Sequence, residues 1–60
     1  MTDNELLEYC HKVVQQKVES IGVEYDLYIR QAMDWRFNSI YRHRGWQGLM
    51  KYAEDLPVRR

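Results

Sequence analysis

The sequence holds a single cysteine, Cys10, so no disulfide can form within the chain. Two histidines and that cysteine supply neither four ordinary zinc ligands nor the spacing such sites use. Glycine and proline are scarce, with Gly22, Gly45, Gly48 and Pro57 the only examples. No glycine-rich phosphate loop is present, since Gly45-Trp46-Gln47-Gly48 lacks the lysine and the preceding strand. No run approaches the ~18 apolar residues of a membrane span. The start, Met1 to Glu5, is acidic and lacks the apolar core of a signal peptide. With a lone cysteine, these absences point to a reducing compartment, the cytoplasm, and to no membrane partner. Net charge is also lacking, which argues against a dedicated polyanion binder.

What remains is a chain of 60 residues, enough for one small domain. A chain of this size buries only about 60% of its unfolded surface and is marginal alone. Without disulfide or metal, oligomerisation is the remaining route to stability. Two tryptophans, five tyrosines and one phenylalanine supply apolar surface for it, so a homodimer is expected. Charge is uneven along the chain. Residues 1–29 carry six acids against Lys12 and Lys17, and residues 30–60 carry seven bases against Asp34, Glu54 and Asp55. The halves are therefore −4 and +4, as in a helical hairpin whose arms attract or in an antiparallel dimer.

The pattern predicts an all-α fold: a hairpin of helices over about 3–21 and 24–44, then a short third helix over about 46–56. Thr2 and Glu5 fit a capping box. Leu6, Leu7, Cys10, Val13, Val14, Val18 and Ile21 form one apolar face, into which Lys17 intrudes as a snorkelling side chain or as the partner of a carboxylate. Gly22 suits the left-handed residue that ends a helix, with Val23 covering Val18. The second helix starts between Glu24 and Leu27, with Asp26 as a possible N-cap. Its apolar sector is broad and runs through Tyr25, Tyr28, Ile29, Ala32, Met33, Trp35, Phe37 and Ile40. Asp26, Arg30 and Asp34 are expected opposite, as a salt-bridged row in water. Alternation of Val23, Tyr25, Leu27 and Ile29 with polar neighbours also fits a strand, though no second strand exists to pair with it. Gly45 repeats the helix-ending device, with Trp46 set to touch Tyr41. Leu49, Tyr52, Ala53 and Leu56 give the third helix its face, and Pro57 stops it.

No catalytic or cofactor motif stands out, and the chain is expected not to be an enzyme. Cys10 and His11 are neighbours in sequence, but on a helix neighbours point about 100° apart. Glu54-Asp55 reads as a solvated helix end rather than an acid–base couple. The informative segment runs from Trp35 to Trp46. Trp35, Phe37, Tyr41 and Trp46 interleave there with Arg36, Arg42 and Arg44. Arginine with tryptophan and tyrosine marks protein interfaces. The same mixture lines single-stranded nucleic-acid grooves. A small helical wheel argues against the second, because the three arginines point in different directions. Arg36, near the middle of the apolar sector, either snorkels or pairs across an interface. The expected function is regulation or inhibition through protein–protein contact, with the chain itself and another protein as partners. Nucleic-acid binding through 35–46 is the alternative.

Overall fold

Thr2 opens the first helix by accepting the Glu5 N–H on its hydroxyl at 3.2 Å. Helix α1 then runs Asp3–Ser20, with Asp3 and Glu5 in the first turn, where the positive end of the dipole favours them. It ends as the glycine predicts. Gly22 takes a φ of 82°, its N–H donates to the Glu19 carbonyl at 3.1 Å, and the Val23 N–H reaches the Val18 carbonyl at 3.0 Å. These two bonds satisfy carbonyls that the helix would leave bare. Four residues later Asp26 caps the second helix, accepting the Ile29 N–H at 2.9 Å. Helix α2 spans Leu27–Asp55. The computed structural model describes residues 2–58. Among these the only regular elements are the two helices, which pack against each other. The alternating stretch 23–29 is therefore loop and first helical turn, not strand.

The residues expected as a separate third helix form the far arm of α2, beyond a bend at Gly45, the one non-helical residue inside it (φ 73°, ψ −174°). The bend is sharp. In a straight helix, residues 37 and 52 would stand about 22 Å apart. Here the Phe37 and Tyr52 rings lie edge to face with centroids 6.2 Å apart. The far arm, 46–55, thus folds back alongside the near arm, 27–44. Both rest on α1, and Leu6, Cys10 and Val14 of α1 meet Phe37 of the near arm and Leu49 and Ala53 of the far arm in one core. The Cα radius of gyration, 11.0 Å, is close to the ~10 Å expected for a closed domain of this length.

Among the described residues Lys17 pairs with no carboxylate. Its ammonium donates to the carbonyls of Glu54 and Leu56, the latter at 3.1 Å. These are carbonyls at the end of α2, which lack helical partners, so Lys17 closes that end from another element. Lys17→Met keeps the apolar stem and removes the donor. A loss of about 1–2 kcal/mol is expected. For a domain this small it lowers the melting temperature by roughly 5–10 °C. A thermal melt by circular dichroism checks it.

Candidate functional site

The near arm of α2 is turned differently from the way its wheel suggests. Phe37, fully buried, sets the inward direction, and Met33, Ile40 and Tyr41 pack beside it. Arg30 and Asp34, expected in a wet row with Asp26, flank this inward side and reach α1. Arg30 meets Glu8 at 2.9 Å, and Asp34 meets His11 at 3.1 Å. Asp26 is occupied as the helix cap. The row does not form because each member finds a closer partner in α1 or in the backbone. The Arg30–Glu8 pair is well exposed and contributes little.

His11 is a core residue that sequence reasoning missed. It is 2% exposed and packs edge to face on Phe37 with centroids 4.9 Å apart. Both ring nitrogens are engaged, Nε2 with Asp34 Oδ1 at 3.1 Å and Nδ1 with the Tyr25 hydroxyl at 2.5 Å. An aspartate carboxylate only accepts, so in the neutral ring Nε2–H donates to it, and Nδ1 accepts the Tyr25 O–H. The signal lay in pairing an inward histidine of helix 1 with the aspartate and tyrosine of helix 2, which no single-helix wheel displays. Beside it Cys10 is fully buried, and burial pushes its thiol up, with Glu54 adding to the shift. That disfavours the thiolate a nucleophile needs.

Burial also pushes the Tyr25 phenol up to about 12; Asp34 adds to this, and Arg30 opposes it. An unfolded tyrosine titrates at 10.0, so folding binds this proton more tightly. Its contribution to stability is complete below pH about 10 and is lost as pH rises towards about 12. Tyr25→Phe removes that part of the alkaline slope and, at neutral pH, leaves His11 Nδ1 without its donor. Urea unfolding midpoints at neutral pH and across this alkaline window check both effects.

The residues expected to form one site are dispersed around α2. Phe37 belongs to the core and cannot face a partner. Trp35 is 72% exposed on the opposite side of the near arm, which it shares with Leu27 at 69% and Tyr28 at 80%. Leu27, Gln31 and Trp35 edge one shallow groove with Arg30, Asp34 and Asn38. The broad apolar sector therefore divides, its inner part in the core and its outer part bare. Tyr41 and Trp46 lie elsewhere. Both line a cavity beside the first turn of α1, with Thr2, Asp3, Leu6 and Met50. The Tyr41 hydroxyl donates to Asp3 at 2.9 Å. Arg36 is exposed and has no ion-pair partner among the described residues. It lines a depression with Ser39, Ile40, His43, Arg44 and Tyr52. Arg36 and Arg44 thus share a surface that the wheel denied them, and Arg42 lies outside it.

Among the described residues no group of three or more His, Cys, Asp or Glu side chains is placed to hold a metal ion. Among the described residues no helix is long and apolar enough to cross a membrane. No family model matches this chain, nor does any curated protein or solved structure.

Proposed function

We propose that the chain is a non-catalytic regulatory or inhibitory protein that acts by binding protein, and that its first partner is a second copy of itself. The observation that carries this reading is the bare apolar side of the near arm. Leu27, Tyr28 and Trp35 are all more than two-thirds exposed there. Positions 27, 28, 31 and 35 share one side of a helix. An aromatic side chain buries about 150–250 Å² when covered, and tryptophan and tyrosine are the residue types on which interfaces concentrate their energy. The groove rim carries one base, Arg30, and one acid, Asp34, each already paired with α1, so two copies meet there without net repulsion. Sedimentation at micromolar concentration is expected to give twice the chain mass. Trp35→Ala is expected to give a monomer with unchanged helical circular dichroism. A folded wild-type monomer at that concentration overturns the homodimer.

A second reading rests on the depression that Arg36, His43 and Arg44 share around Tyr52. Basic groups around an aromatic ring suit a nucleic-acid strand. Salt separates the two. A single-strand complex in which Arg36 and Arg44 neutralise two phosphates loses about seven-fold in affinity between 50 and 200 mM salt. A complex anchored by Leu27, Tyr28 and Trp35 loses far less, because charges at a rim act mainly on the association rate. Nucleic-acid binding that persists at physiological salt and disappears in Arg36→Ala replaces the protein-binding reading.

A further inference from the structure

We propose that the cavity lined by Trp46 and Asp3 binds a quaternary ammonium group. The cavity encloses about 340 Å³ and is lined by Thr2, Asp3, Leu6, Tyr41, Trp46 and Met50. That volume lies in the range of small-ligand sites, about 300–1,000 Å³. Three pieces of chain build it: the first turn of α1, the last turn of the near arm and the first turn of the far arm. The bend at Gly45 brings Trp46 and Met50 round to face Asp3 and Leu6. Leu6 is part of the core, so the apolar floor is fixed. Above it stand two aromatic rings and a thioether, and among the described residues the single charged side chain of the wall is a carboxylate.

The chemistry of the wall selects the ligand class. A neutral apolar group would cover the Asp3 carboxylate and leave its charge with the Tyr41 hydrogen bond alone. An anion would be repelled. A guanidinium brings five N–H donors. The wall's side-chain oxygens belong to Asp3, Thr2 and Tyr41 alone. Thr2 already accepts the Glu5 N–H, and Tyr41 already donates to Asp3. A quaternary ammonium brings no donor to leave unmet. Its methyl groups pack against Trp46 and Tyr41, whose ring quadrupoles attract a cation, and its charge neighbours Asp3. The Tyr41 hydrogen bond to Asp3 and the charge of that carboxylate push the phenol up, so the ring remains a neutral donor that holds the carboxylate in place.

The two tryptophans make the test self-controlled, because Trp46 lines the cavity and Trp35 lines a separate groove. The full chain is titrated with choline while its two indole N–H resonances are followed by NMR. The Trp46 signal is expected to move and saturate while the Trp35 signal stays. The carbon isostere of choline, in which a tert-butyl group replaces trimethylammonium, is expected to give no saturable shift. Asp3→Asn is expected to weaken choline by about tenfold. A peptide carrying trimethyl-lysine forms the second arm. Tighter binding of that peptide than of choline assigns the group to a modified protein chain, and binding no tighter assigns it to a free small cation. Equal shifts from the neutral isostere, or no saturation by either cation in the wild-type chain, overturn the proposal. So does choline affinity unchanged in a folded Asp3→Asn.

Discussion

Phe37→Ala is expected to abolish most of the folded population at room temperature. Phe37 is fully buried, and its ring touches His11 of α1 and Tyr52 of the far arm. Among the described residues it is the one side chain that bridges all three segments through ring contacts. Removing a buried phenylalanine costs about 3–5 kcal/mol, of which part is the cavity left behind. A domain of 60 residues has in total about 3–9 kcal/mol. The loss is therefore comparable to the whole. It also strips the apolar cover from His11, whose bonds to Asp34 and Tyr25 then face water. Phe37→Leu keeps most of the volume and is expected to remain folded. Urea titration by circular dichroism reads both. A Phe37→Ala chain that melts within a few degrees of wild type shows that the core does not depend on this ring. Trp35→Ala provides the contrast, since an aromatic two residues away on the outer face leaves the core intact.

At Gly45 the handedness of the residue, not its size, decides the outcome. The φ of 73° with ψ of −174° is a combination only glycine adopts freely. A Cβ placed there would meet nothing within 4 Å, so no clash contributes. Gly45→Ala is therefore expected to cost about 1–3 kcal/mol through backbone strain alone. The mirror image of this conformation is ordinary extended backbone for an L-residue. A D-alanine at the same position, reachable by chemical synthesis of so short a chain, is expected to fit. It gains up to about 1 kcal/mol over glycine by narrowing the unfolded ensemble. Thermal melts of the three chains should rank D-alanine at or above glycine and L-alanine well below. L-alanine equal to glycine would mean that the bend relaxes at no cost.

The ends of the helices were readable because caps are local. Thr2, Gly22-Val23 and Asp26 act through backbone groups three to five residues away, and each does in the structure what its position suggests. The face of α1 was readable for a similar reason, since Leu6, Cys10 and Val14 form an unambiguous stripe. The rotation of α2 was not. Its tyrosines, tryptophan and alanine count as apolar on a wheel, and they pull the apparent core direction towards Trp35. Burial instead follows Phe37 and admits Arg30 and Asp34 at its edge, because Glu8 and His11 of α1 stand opposite them. That complementarity exists only between helices. The same holds for the expected site. Its residues are contiguous in sequence, but a helix sends Trp35, Phe37 and Arg36 to three different surroundings, and the bend at Gly45 then groups Trp46 with Asp3.

Lys17 reaches carbonyls 37 and 39 residues further along the chain, and the Tyr9 hydroxyl reaches the Glu54 carboxylate 45 residues away. Helical proteins usually fold quickly because their contacts are local, and closing distant ones slows the search. During synthesis α1 and the near arm emerge first and can form their hairpin. Leu49 and Ala53, which complete the wall against Phe37, arrive only afterwards. For that interval the nascent hairpin carries two apolar surfaces, one around Trp35 and one around Phe37, and the second closes when the last turn of α2 docks on Lys17.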